Sequence, residues 1–223
     1  MPAVVHSLRL ALSRAYLIEH PSGLLLVDAG SPGEEPRILR AIHRLRPARL
    51  RMIFITHAHF DHFGSAAALR RLTGAPIAVH AADAQAMTRG ETLVAAARGW
   101  GRAGLAALRA VERFVPAPAT PPDIQLQDGD PVGDPGLEAS VLHTPGHTFG
   151  SSCLIVERRL AFAGDLVTTT GGPHVQRFIA VDWDLIPHSL ARLQELRPEQ
   201  TYPGHGRRPL DTPTLQRLRP PSP

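Results

Sequence analysis

The segment Thr56-His57-Ala58-His59-Phe60-Asp61-His62 gathers three imidazoles and one carboxylate, and imidazole is the commonest protein ligand for metals. His57 and His59 are two residues apart after an apolar run, so an extended backbone would send both side chains to one side, where they could meet one ion. Asp61 and His62 fall where the chain must leave the strand before Gly64, a change of direction that can aim them at a second ion. Three more candidates each follow an apolar run: His147 in Thr144-Pro145-Gly146-His147, Asp165 in Gly164-Asp165, and His205 in Pro203-Gly204-His205-Gly206. Their Gly and Pro neighbours suit tight turns at strand ends. Five imidazoles and two carboxylates make a ligand set that suits zinc, with iron or manganese also compatible.

The elements that must position these residues can be read from apolar spacing. Two apolar runs, 15–18 and 24–27, flank His20-Pro21-Ser22-Gly23 and predict a hairpin. Residues 34–45 have helical spacing, 52–55 a strand, 65–72 an alanine-rich helix ended by Gly74, and 76–79 a further strand. Between 83 and 115 the apolar positions keep a helical face that Gly99, Gly101 and Gly104 interrupt, which predicts two or three short helices. A proline-rich loop follows at 116–122. The second half predicts strands near 138–142, 152–156 and 160–163, a helix at 185–196 and a frayed end at 216–223. Strands followed by a ligand cluster and a helix thus occur in both halves, an order that two sheets covered by helices on both outer faces would satisfy.

Composition excludes several classes. The chain has 223 residues, 43% of them hydrophobic, enough for one sizeable core. No lysine occurs, and the arginines are scattered, so a net charge of +4 makes no stripe for nucleic acid. Cys153 is the only cysteine, which rules out an intrachain disulfide or a thiolate cluster within the chain and leaves it as a buried small hydrophobe. The first twelve residues do not read as a secretory signal, and no run reaches the ~20 apolar residues of a membrane helix, so a cytoplasmic protein is expected.

The sequence resembles the metallo-β-lactamase fold hydrolases. Their His-x-His-x-Asp-His signature stands at His57–His62, and the likeness extends through Val27-Asp28-Ala29-Gly30, Thr144–Thr148, Gly164-Asp165 and Pro203–Gly206, about residues 15–210. The resemblance implies an α/β fold, a four-layer αββα sandwich, here as one domain over 1–223 with a helical insertion at about 83–115. It implies that His57, His59 and His147 bind one metal, that Asp61, His62 and His205 bind a second, and that Asp165 bridges them. Two Zn²⁺ are the expected cofactors. Asp28 would then orient ligand imidazoles from behind. A hydroxide shared between the metals would attack the substrate, with Asp61 as the catalytic residue that orients it and passes on its proton.

Within the resemblance, a carboxylate at 165 points away from the antibiotic-hydrolysing branch and toward the glyoxalase II and lactonase branch. An ester-type bond, thioester or lactone, in a small molecule is the expected substrate. A mononuclear-iron persulfide dioxygenase and a ribonuclease Z-like phosphodiesterase are the alternatives, the second without an evident basic arm for nucleic acid. If the 83–115 helices overhang the site, Met87, Leu93 and Trp100 would form an apolar wall, and His174 in the loop after Asp165 could face the substrate. His80 and His143 read as packed histidines. A homo-oligomer stays open.

Overall fold

The computed structural model describes residues 2–45, 49–92, 96–99, 101–133 and 137–220. The chain opens with strands β1 (Val4–Arg9), β2 (Arg14–His20) and β3 (Gly23–Val27), then helix α1 (Glu35–Arg44), strand β4 (Leu50–Ile55), the single turn α2 (Phe60–Phe63) and helix α3 (Ala66–Thr73). Strand β5 (Ile77–His80) leads into helix α4 (Ala81–Arg89), the short strand β6 (Ala96–Ala97), helix α5 (Gly101–Phe114) and strand β7 (Ile124–Leu126). The second half holds β8 (Ala139–His143), β9 (Ser152–Val156), β10 (Leu160–Phe162), the two-residue strands β11 (Val167–Thr168), β12 (His174–Val175) and β13 (Ile179–Ala180), helix α6 (Leu185–Leu196), β14 (Gln200–Tyr202), β15 (Leu210–Asp211) and α7 (Thr212–Arg217).

One sheet has six strands in the order β1-β2-β3-β4-β5-β7, and the other has five in the order β15-β14-β10-β9-β8. The continuous apolar run Leu24 to Val27 is explained by its place: β3 is an inner strand covered on both faces. Alternate residues then go to different layers. Leu17, Leu24, Leu26, Ile53 and Ile55 pack outward with Ile38 and Ile42 of α1 and Leu69 of α3. Ile18, Leu25, Val27 and Phe54 face inward onto Leu154, Val156 and Phe162 of the second sheet. On that sheet's far side, Cys153, Ile155 and Ala161 meet Ile186, Leu190 and Leu193 of α6 and Leu215 of α7. Three apolar layers separated by two sheets make the αββα sandwich.

The predicted 185–196 helix coincides with α6, and the hairpin of β2 and β3 falls where its turn chemistry put it. The 83–115 stretch holds two helices, α4 and α5, within the expected two or three, but Gly101 and Gly104 do not interrupt them, since both lie inside the 14-residue α5. Gly101 serves a close approach and breaks nothing: a β-carbon there would lie 2.3 Å from the Phe178 carbonyl oxygen. Of the expected frayed end at 216–223, Gln216 and Arg217 instead belong to helix α7, which Asp211 caps by accepting a hydrogen bond from Thr214 N at 2.9 Å, and 221–223 lie outside the described residues. Cys153 is buried, and its thiol is pushed up to about 12 by that burial. Among the described residues no helix is long and apolar enough to cross a membrane.

Candidate metal centre

The strands of this sandwich bring their C-terminal ends to one edge. β3, β4, β5 and β7 run parallel, as do β10 and β14, while β8 and β10 both pair antiparallel with β9 and so share a direction. The loops after β4, β8, β10 and β14 carry His57–His62, His147, Asp165 and His205 respectively, the position where open α/β sheets ordinarily place a site. A hydrogen bond from Ser152 N to the Thr56 carbonyl, 2.9 Å long, ties the two sheets together at this edge.

Local backbone geometry then aims the side chains. His59 is extended, with φ −111° and ψ 144°, and caps the one-turn helix α2 that carries Asp61 and His62. The β1–β2 turn clasps that helix, with Ser13 Oγ donating to the Asp61 carbonyl at 2.5 Å. The ligand-type atoms of His57, His59 and His147 lie within 4.8 Å of one another, as do those of His57, His62 and Asp165, and those of Asp61, His62 and His205. Asp165 lies between the sets: one carboxylate oxygen is 3.4 Å from His147 Nε2 and 3.2 Å from His205 Nε2, and the other is 3.4 Å from His62 Nε2. All seven residues named from the sequence therefore converge.

Behind the shell, neighbours fix which ring nitrogen carries the proton. His147 Nδ1 faces the Ile179 carbonyl at 2.9 Å and His205 Nδ1 the Leu12 carbonyl at 2.9 Å, and a carbonyl can only accept, so both Nδ1 atoms are donors. His62 Nδ1 meets Asp28 Oδ2 at 2.8 Å. The Thr56 hydroxyl donates to the Asp28 carboxylate at 3.0 Å and so accepts from His57 Nδ1, also at 3.0 Å. Four Nε2 atoms are thereby turned inward, the orientation that metal ligation requires. His59 instead presents Nδ1, 3.0 Å from His147 Nε2. Asp28 organises this from a left-handed backbone, φ 60°, with its Oδ1 accepting from Thr56 N at 2.8 Å.

Charge separates the shell into two kinds of imidazole. Burial, reinforced by neighbouring imidazoles, holds His57 well below the ordinary histidine value and His147 at about 3. Burial also opposes charge on His62 and His205, but the carboxylates of Asp61, Asp28 and Asp165 outweigh it at His62, raising it to about 9. Asp165, with Asp61, raises His205 to about 10. Asp165, despite its burial, is held well below the carboxylate range by His205 and His62. The residues fit divalent cations: His57 Nε2 and Asp165 Oδ1 are buried without a hydrogen-bond partner, an arrangement that is costly unless a cation completes it.

Asp83, in the first turn of α4, was not singled out by the sequence. It is 0% exposed and spans both halves, accepting from Ala58 N at 2.8 Å, Thr148 Oγ1 at 2.7 Å and Gly150 N at 2.7 Å. An aspartate in a first helical turn is ordinarily explained by the helix dipole alone, so no local signal marks it. Met87 does not belong to an apolar wall over the site. It is 0% exposed and packs in the core between the first sheet and its helices. Leu93 and Trp100 lie outside the described residues. His174 is half-buried in β12, its Nδ1 donating to the Val175 carbonyl at 3.0 Å. The 83–115 stretch does reach the site's rim, because β6 pairs with β13, whose Ile179 carbonyl braces His147. His80 and His143 stack at 3.9 Å away from the shell.

Fold and site together define a metallo-hydrolase architecture, and comparison with known proteins places it. Residues 9–205 match the model of the metallo-beta-lactamase superfamily, and the chain belongs to that superfamily. It is similar to the acyl-coenzyme A thioesterase MBLAC2 of Bos taurus, 35% identical over 125 residues that cover 50% of this chain and 39% of that protein. The hydroxyacylglutathione hydrolase of Pseudomonas aeruginosa is 31% identical over 150 residues, 66% of this chain and 44% of the relative. The chain thus spans less than half the length of these two relatives. Among solved structures, TTHA1623 in a di-iron-bound form superposes with a TM-score of 0.69 at 29% identity, over 96% of this chain and 97% of that one.

Proposed function

We propose that this protein is a two-metal hydrolase of an ester-type bond, thioester or lactone, in a small molecule, with zinc as its metal. The observation that carries this reading is the position of Asp165, whose two carboxylate oxygens lie within 3.4 Å of imidazoles from both ligand sets. His57, His59 and His147 would hold one ion and Asp61, His62 and His205 the other, with Asp165 shared. Bound there, divalent ions supply Lewis acidity and make hydroxide available near neutral pH.

Everything else is done by the chain. Asp61, 7% exposed and with Oδ2 3.5 Å from His205 Nε2, holds the attacking water in line and takes its proton for delivery to the leaving group. The Nε2 atoms of His57, His62, His147 and His205 are aimed inward before any ion arrives, and ligation would release the extra proton that His62 and His205 carry. The names of two relatives, an acyl-coenzyme A thioesterase and a hydroxyacylglutathione hydrolase, favour a thioester as the substrate class. The di-iron form of TTHA1623 supports iron as the competing metal. The same reading makes 1–223 one catalytic domain.

Metal content per chain, together with hydrolysis of a panel of thioesters, lactones, phosphodiesters and β-lactams, tests the proposal. Two zinc ions per chain and turnover of a thioester or lactone that Asp61→Asn abolishes are expected. A single iron with oxygen uptake on a persulfide, or turnover confined to phosphodiesters, would overturn it.

A further inference from the structure

A cavity of ≈ 930 Å³ opens beside the metal centre, along the side where edge strands β1 and β15 border the two sheets. None of the seven candidate ligands lines it. It adjoins them through Leu12, whose carbonyl accepts from His205 Nδ1, and through Gly206, next in sequence to His205. Its size exceeds what an isolated phosphate needs and suits a nucleotide-sized group, within the usual range of roughly 300–1,000 Å³ for ligand pockets.

The charge of its wall is one-sided. Arg9, Arg14, Arg207 and Arg208 all line it, and none of the four forms an ion pair among the described residues, although the arginines at 70, 89, 159 and 192 do. Arg14 is held in place by neutral oxygens alone, its Nε donating to the Gly206 carbonyl at 2.5 Å and its Nη1 to Ser7 Oγ at 2.8 Å. The single carboxylate in the wall, Asp211, is engaged in accepting from Thr214 N. Four arginines against one carboxylate leave the lining of this concavity net positive, which suits a polyanion, since guanidinium groups bind phosphate oxygens through paired N–H donors.

We infer that this arginine-lined cavity binds a phosphorylated, nucleotide-sized arm of the substrate while the acyl bond reaches the metal edge past Leu12 and Gly206. The inference rests on the proposed thioester or lactone chemistry for its acyl half, and on the cavity alone for its anionic half. It makes the enzyme selective for thioesters carried on a phosphorylated carrier over the same acyl group on a small uncharged thiol.

Two measurements on the metal-loaded full chain separate these halves. The first is calorimetric titration with adenosine 3′,5′-bisphosphate and, separately, inorganic phosphate, for the wild type, Arg207→Gln/Arg208→Gln, and the charge-matched control Arg40→Gln/Arg44→Gln on α1. The cavity double variant should bind the bisphosphate five- to tenfold more weakly than the control, as expected for loss of two exposed charge-assisted contacts. Binding should also weaken with added salt. The second compares acetyl-coenzyme A with acetyl N-acetylcysteamine, where the cavity variant should lower the ratio of kcat/KM for the first over the second five- to tenfold, mainly through KM. Equal bisphosphate binding by both double variants, or inorganic phosphate binding as tightly as the bisphosphate, would overturn the inference. If the bisphosphate binds as described but neither thioester turns over, the anion site stands and the thioester reading falls.

Discussion

Gly204 shows how one residue sets the spacing of the whole shell. A β-carbon there would lie 2.5 Å from Asp165 Oδ1 and 2.7 Å from His62 Cε1, so the Pro203-Gly204-His205 turn can pass beneath the carboxylate only without a side chain. Gly204→Ala should push Asp165 or His62 out of line, lowering kcat by roughly a hundredfold with reduced metal content, while leaving the fold intact. Steady-state kinetics and metal analysis on the same preparation check this; an unchanged enzyme would remove the claim. At this scale the sequence was highly legible, because His57, His59, Asp61, His62, His147, Asp165 and His205 each stand in a short motif of distinctive residue types. Asp83 and Thr56 were not legible. Their work depends on which loops the fold brings beside them, and neither residue type at its local position announces that.

Among elements, α4 and the loop before β9 lock together through Asp83. Gly150 is required there, since an added β-carbon would meet Asp83 Cγ at 2.6 Å and its Cβ at 2.7 Å. Asp83→Ala leaves two backbone N–H groups and the Thr148 hydroxyl without this acceptor, and should destabilise the protein by roughly 3 kcal/mol. Gly150→Ala should cost about 1–3 kcal/mol through overpacking at the same contact. Chemical denaturation of both single variants and their combination checks the coupling, and strictly additive losses would show that the two residues act separately. Element boundaries were readable where burial is two-sided, as in β3, or where a helix is strongly amphipathic, as in α1. They were missed in β1, an edge strand whose His6, Ser7 and Arg9 break any apolar run, and in α7, where Asp211 and Pro213 supply the start signals of a helix only six residues long.

For the molecule as a whole, the opposed charge states of the shell dictate how the metal-free protein responds to acid and base. His147, at about 3, takes up its proton readily only when the chain unfolds, as does His57, also held below its ordinary value of 6.5. Below about pH 6.5 the unfolded state thus binds more protons, and stability falls as pH falls. His62 and His205, at about 9 and 10, are charged in the fold and neutral in the unfolded chain between about 6.5 and those values. Their contribution is fully present below 6.5 and is lost as pH rises. The thermal midpoint of the metal-free protein should therefore peak near pH 6.5 and decline on both sides. A midpoint rising steadily from pH 6 to 9 would contradict this.

The candidate ligand shell draws His57, His59, Asp61 and His62 from the loop after one sheet's strand, and His147, Asp165 and His205 from three loops of the other. Bound ions would consequently act as rivets across the seam of the sandwich, joining residues as far apart in the chain as His62 and His205, 143 positions. Such fasteners resist separation of the sheets more than they alter either sheet alone. The protein's lifetime against unfolding would then be governed by how slowly its metals leave, and a chelator would set the clock.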